Sequence, residues 1–234
     1  MAASGDLQNN TDNLTVTDKL NNFIQKNRKK LFIGLASAIA ILAVLIIGIS
    51  VRDKLQENAL SQADGFNKRY EELKAFINSD DIDAIQKQAD IAILLVDLES
   101  FAGKKSGYPA AWAYSISADI FGDQKKWDDA EKSYINAAKA AGKSYLAPVS
   151  FFNAAVAAEE QGNIDTAIEY YNKALDFGNA FAAAARAQFA IGRLEESRDN
   201  KTAALIAYNT LLAKWPGDPV WTNLAQSRII VISD

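Results

Sequence analysis

Between Leu31 and Val51 the chain reads LFIGLASAIAILAVLIIGISV, twenty-one residues with no charge and no polar side chain beyond Ser37 and Ser50. At 1.5 Å rise per residue, such a stretch spans roughly 30 Å, the thickness of a bilayer's hydrocarbon core. A surface helix of a soluble domain keeps one polar face, and this segment has none. A cleaved leader fits poorly. Thirty residues precede the run, its apolar length exceeds that of an ordinary leader, and no small-x-small site follows Val51. The segment reads as an uncleaved transmembrane helix. Lys26, Arg28, Lys29 and Lys30 crowd its N-terminal flank, against Arg52 and Lys54 beyond it. By the positive-inside bias, the N-terminus stays cytoplasmic and the bulk of the chain is translocated.

Composition narrows the chemistry. The 234 residues include no Cys and no His. That removes zinc fingers, haem and iron–sulfur ligation, disulfides, cysteine nucleophiles and His-dependent triads. A net charge of −4 argues against nucleic-acid binding, which favours a basic surface. The charge is unevenly spread: residues 1–30 hold five basic and three acidic groups, the remainder twenty basic and twenty-six acidic. The pairs Glu71-Glu72, Glu159-Glu160 and Glu195-Glu196 cannot converge on one atom, because neighbours on a helix point about 100° apart. They read as solvated helix faces. No phosphate-cradling glycine motif occurs, and Asp80-Asp81-Ile82-Asp83 lacks the spaced ligands and Gly of a calcium loop. No catalytic residue, metal ligand, cofactor or small-molecule substrate is expected, and the chain does not read as an enzyme.

Residues 1–18 are rich in Asn, Asp and Thr without periodicity and are expected to be disordered, with 19–30 extending the membrane helix. Past the membrane, Leu55, Ala59, Ala63, Phe66, Tyr70, Leu73 and Ile77 recur at three- and four-residue spacing. This predicts a helical stalk over Asp53–Asn78 with one apolar stripe that needs cover. A break at Asn78–Asp81 supplies an Asp cap for a helix from Ile82 to Phe101, apolar enough at Ile91–Val96 to be buried. Gly103 is expected to end it, with Lys104–Pro109 as loop.

From Pro109 the chain repeats itself. Ala130, Ala167 and Ala204 stand 37 residues apart, each followed four residues later by an aromatic, Tyr134, Tyr171 or Tyr208. Ala137, Ala174 and Leu211 follow three residues on, and Ala118, Ala155 and Gly192 lie twelve before the aligned alanines. Small residues at those spacings let paired helices approach closely, and the aromatic fills the space between adjacent hairpins. Gly162-Asn163 and Asp199-Asn200 supply turns. These residues resemble the tetratricopeptide repeat, a helical hairpin of about 34 residues with small, small, aromatic, small and Pro at matching positions. The period of 37 implies about three extra residues per connection. Glu195 stands where the family has an aromatic. Asp218–Ile232 suits a helix capping the last unit.

The resemblance implies a concave face lined by the first helix of each unit. Its positions here are Trp112, Ser115, Asp119, Gly122 and Asp123, then Val149, Phe152, Val156, Glu159 and Glu160, then Arg186, Phe189, Arg193, Glu196 and Ser197. Large apolar groups beside arginine make a binding hot spot, unless an N-terminal helix such as 82–101 packs into the groove and buries them. Ser115, Asp119, Phe152 and Val156 replace the Lys and Asn of a carboxylate clamp, which argues against recognition of an acidic C-terminal tail.

The expected architecture is all-α. It comprises a cytoplasmic tail (1–30), a transmembrane helix (31–51), a helical stalk and buried helix (52–108), three tetratricopeptide-like repeats (109–217) and a capping helix (218–234). This layout resembles the YfgM-like family of bacterial inner-membrane proteins ancillary to the Sec translocon. The resemblance implies a single-pass protein with a periplasmic domain that binds a membrane-anchored chaperone, translocon subunits or client polypeptide. The alternative is a structural component of a cell-envelope machine (a flagellar-motor collar, cell-wall or secretion assembly) that uses the stalk stripe through Leu55, Phe66, Tyr70 and Leu73.

Overall fold

The structure is a computed structural model that describes residues 15–74 and 82–233. The expected disorder of residues 1–14, the break at 78–81 and the stripe position Ile77 lie outside the described residues. The chain divides into two units, Met1–Leu55 and Gln56–Asp234. Helix α1, Val16–Lys74, contributes to both.

In the first unit α1 opens on a reciprocal cap. The Thr15 N–H donates to Asp18 Oδ2 at 3.2 Å, and the Asp18 N–H donates to Thr15 Oγ1 at 3.3 Å. Residues 16–18, expected to be disordered, are therefore helical. The helix is long and apolar enough to cross a membrane, and none of its apolar window is buried. Phe32, Leu42 and Ile46 are all exposed.

The second unit is a succession of helical hairpins. The end of α1 is followed by α2 (Ile82–Lys104), then α3 (Tyr108–Asp123) with α4 (Trp127–Ala141), α5 (Leu146–Glu160) with α6 (Ile164–Leu175), α7 (Ala184–Ser197) with α8 (Lys201–Lys214), and α9 (Pro219–Ser233). Among the described residues all regular structure is helical. Helix α2 overruns its expected stop because Gly103 does not adopt a left-handed conformation. That role falls to Gly107, at φ +67°, so the connection to α3 shrinks to residues 105–107.

Leu55 of the stalk stripe is exposed, and from Ala59 onward the stripe is covered from within the chain. Ala59, Ala63, Tyr70 and Leu73 of α1 are buried against Ile91, Leu94 and Leu98 of α2 and Ala113, Ile116 and Ile120 of α3. Phe66 meets the Phe101 ring edge-on at 5.4 Å. The repeat signature behaves as its spacing requires. Ala130, Ala167 and Ala204 are fully buried, as are Ala118 and Ala155. At the third equivalent, Gly192, an added Cβ would lie 2.5 Å from the Tyr208 ring, so only glycine fits.

Each hairpin turns the same way. Lys125, Gly162 and Asp199 take left-handed φ of 57°, 77° and 61°. The residue after each donates its N–H five residues back: Lys126 to Phe121, Asn163 to Ala158 and Asn200 to Glu195, at 2.8–2.9 Å. This six-to-one bond closes the first helix and launches the second. The second helices then match their dipoles, with Asp128, Asp129 and Asp165 in first turns and Lys139, Lys173 and Lys214 in last turns. The three extra residues of the period go into the links between units. These are the turn at Gly142–Tyr145 and the short helical turn Gly178–Ala180, whose following residue Phe181 is buried.

Candidate functional site

The lining positions lie along α3, α5 and α7, flanked by the end of α1. The Tyr70 hydroxyl donates to Asp123, which also meets Lys74 Nζ at 3.4 Å, so α1 borders the first unit's lining. Helix α2 does not fill the groove. It packs on α3, forming one depression with Tyr114, Ser117 and Phe121 of α3 and Asp129 and Ser133 of α4, and another that reaches Asp123 at the end of the first unit's lining.

Exposure along the lining is mixed. Asp119, Val149, Glu160, Arg186 and Arg193 are exposed, and Trp112, Ser115, Val156, Glu159 and Phe189 are half-buried. Phe152 departs from expectation: at 7% exposed it is core, held between Tyr171 at 5.2 Å and Phe181 at 6.0 Å. Its own α6 and the residues leading into the next unit bury it together, with the Arg186 guanidinium of α7 4.9 Å from its ring. Phe189 is covered in the same manner by Tyr208 and by Trp221 of α9. Trp112 lies beside Tyr108 and, with Glu57, Leu60, Ser61 and Asp64 of α1, lines a depression of about 490 Å³. Its indole Nε1 is buried without a hydrogen-bond partner among the described residues.

A polar ladder runs through the lining. The Tyr171 hydroxyl donates to Glu159, which also receives Arg193 from the next unit. The Tyr208 hydroxyl donates to Glu196 at 3.0 Å, and Glu196 receives Arg228 from α9 through two nitrogens. In the first unit Tyr134 donates instead to Asp119 at 2.5 Å. Desolvation, then the neighbouring carboxylates, push the Tyr134, Tyr171 and Tyr208 phenols far above their usual range, so they remain donors. The hydrogen bond from Arg228 holds the Glu196 carboxyl below its ordinary range.

Two of the acidic pairs therefore differ from the solvated faces expected of them. Glu195 is 7% exposed, takes a two-pronged contact from Arg198 at 2.6 and 2.7 Å, and receives the Asn200 amide at 2.9 Å. It occupies the family's aromatic position and fastens the turn below it. Glu159 and Glu196 are ladder rungs. The clue in the sequence was their recurrence at 37 residues, twelve before each tyrosine.

Residues 109–180 match one tetratricopeptide-repeat family profile and residues 178–219 a second. These hairpins are tetratricopeptide repeats. A TPR repeat-containing protein of Treponema pallidum (strain Nichols) is 39% identical over 142 residues, covering 60% of this chain and 59% of the relative. The chain thus spans about three-fifths of that relative's length. The crystal structure of BtubC (BKLC) from P. vanneervenii aligns at 17% identity over 74% of this chain and 82% of that one, with a TM-score of 0.48. Tetratricopeptide repeats form protein-interaction scaffolds.

Proposed function

We propose that this protein is a single-pass scaffold of a bacterial inner membrane, anchored through residues 31–51 with its N-terminus cytoplasmic. Its repeats then stand in the periplasm, where they bind chaperone, translocon subunits or client polypeptide during translocation and folding. The supporting observation is the state of the lining. Arg186, Arg193, Asp119 and Val149 remain exposed along the same lining through which the Tyr–carboxylate ladder runs. A repeat surface that holds charged and apolar groups open beside one another suits an extended polypeptide, which offers backbone amides and mixed side chains.

The stalk stripe offers less surface, because Tyr70 and Leu73 are buried against α2 and α3. The envelope-machine alternative keeps only the exposed Leu55 and the half-buried Phe66 of the face through which it was argued. The test places photo-reactive amino acids at Val149, Arg186 and Arg193, with one at Ile206 on the outer side of α8 as control. After crosslinking in intact membranes, the three lining positions should capture translocon subunits, a chaperone or nascent chain, and Ile206 should not. Equal capture at all four positions, or none at the lining, would remove the reading. Release of the chain from membranes by carbonate would remove the anchor separately.

A further inference from the structure

Residues 56–74 of α1 pair with α2 as the two helices of a hairpin. Phe66 meets Phe101 and Arg69 bridges to Asp97 at 3.3 Å, so the two run antiparallel. Leu60 shares a depression with Trp112, and Tyr70 donates to Asp123, so α1 runs parallel to α3. The same relation joins α5 to α7, through Phe152 with Arg186 and Glu159 with Arg193. The family match begins at residue 109, and one more first helix therefore stands before the first matched unit. The inner surface starts on α1.

The depression between α1 and α3 is lined by Glu57, Leu60, Ser61 and Asp64 of α1 and by Tyr108 and Trp112 of α3. Asp64 meets Lys68 of its own helix at 3.3 Å, and Glu57 meets no cation among the described residues. No Lys or Arg of the described residues lines the depression. Those along α2 differ: Asp123 shares one with Lys125 and Lys126, and Glu99 and Asp129 share another with Lys132. The Tyr108 and Trp112 rings lie 5.8 Å apart, and the Tyr108 and Tyr145 hydroxyls share a hydrogen bond at 2.6 Å, which fixes the Tyr108 ring. The Trp112 Nε1 is buried, so the indole offers ring carbon and not its donor. Two carboxylates with no lysine among them, beside two aromatic rings, make a seat for a cation.

Position in the groove selects the kind of cation. Trp112, Val149 and Arg186 hold the same place in α3, α5 and α7, 37 residues apart. The row runs from acid and aromatic groups, through the exposed Val149, to an arginine stacked on Phe152 that pairs with no carboxylate among the described residues. With packed helices about 8–10 Å apart, a ligand that spans this row is a polypeptide and not a small amine. We propose that the depression takes the lysine or arginine side chain of a polypeptide laid along the row, which rests on the scaffold function.

The probe is a blocked Gly/Ser peptide of about ten residues, about 33 Å when extended, carrying two arginines. It is titrated into the full-length protein in neutral detergent. The chain has four tryptophans, so the Trp112 indole N–H is one of four such signals in a nitrogen-15 spectrum. The arginine peptide should move that signal saturably, and the same peptide with glutamines should not. Glu57→Gln with Asp64→Asn, both at exposed positions, should weaken binding about tenfold with helicity unchanged. Equal response to the two peptides, or an affinity that survives the double substitution, would overturn the proposal. If crosslinkers at Val149 and Arg186 still capture partners under that result, the scaffold function stands without this seat. Capture lost there, while the arginine peptide still moves the Trp112 signal, would remove the scaffold function and leave the cation seat.

Discussion

The second and third hairpins close their inner surface differently from the first. In the former, one carboxylate takes a tyrosine from its own unit and an arginine from the next: Tyr171–Glu159–Arg193 and Tyr208–Glu196–Arg228. In the first, Gly122 stands at the glutamate position, Asp119 one turn earlier receives Tyr134, and Val156 stands where the arginine would be. The fold is the same, so the ladder is not needed to specify the hairpin. Alanine packing and the left-handed turn do that, and the arginine couples one unit to the next. Two contacts carry different information: the tyrosine reads within a repeat, the arginine between repeats.

The largest expected effect lies in the packing on which both kinds of unit depend. Gly192→Ala adds a methyl 2.5 Å from the Tyr208 ring. Alanine's better helix propensity returns up to about 1 kcal/mol, while a clash with three atoms of one ring lies at or beyond the upper end of the usual overpacking cost of about 1–3 kcal/mol. Net destabilisation is expected, read as a fall in the denaturant midpoint. The reverse change at the equivalent sites, Ala118→Gly or Ala155→Gly, should cost only about 0.5–1 kcal/mol from propensity, plus any cavity. If Gly192→Ala proves neutral, close approach does not fix the crossing.

Next comes the ladder itself. Glu159→Ala leaves the buried Tyr171 hydroxyl without its acceptor, and about 1–3 kcal/mol is expected. Asp119→Ala should cost less, because Tyr134 is only half-buried and no arginine depends on that carboxylate. Equal costs would erase the distinction between the units.

A subtler contrast is in pH. Glu196 is held low by Arg228, so its contribution is present above the ordinary glutamate range and lost as pH falls through its depressed folded value. Asp119 is raised, first by desolvation and then by Asp123 and Glu71, despite opposing help from Tyr134 and Lys74. Its ionised form weakens the fold, and that cost disappears as pH falls through the raised value. Glu196→Gln should flatten the acid limb of a stability–pH profile, whereas Asp119→Asn should raise stability near neutral pH. Parallel profiles for the two variants would mean that the carboxylates are equivalent.

The sequence displayed the packing more openly than the polar closure. Ala130, Ala167, Ala204 and the three tyrosines recur at a fixed spacing because interhelical distance tolerates no substitute, and turn chemistry was visible at Gly162 and Asp199. Lys125 takes the same left-handed conformation without the residue type that announces it, because the Lys126–Phe121 bond imposes it. The burial of Phe152 was hidden since lining position alone does not reveal what stacks above a ring. Glu195 was hidden because its partners, Arg198 and Asn200, are side chains brought together by a turn.

The smallest expected effect would convert the first unit into the other kind. Val156→Arg places a guanidinium at the position from which Arg193 reaches the preceding unit's carboxylate. Asp119 is exposed on its groove side, so a new ion pair there is worth at most about 0–1 kcal/mol. The lost packing of Val156 against the Phe152 cluster opposes it, so stability is a poor readout. The Asp119 carboxyl is a better one. A cation within reach favours its charged form, and its carbon-13 titration should move downward from its raised position, toward the behaviour of Glu196. A shift confined to the variant and abolished by Val156→Gln would show that a missing arginine, not a different backbone, separates the first hairpin from the rest. An Asp119 titration unchanged by the arginine would place the difference in the one-turn displacement of the carboxylate itself.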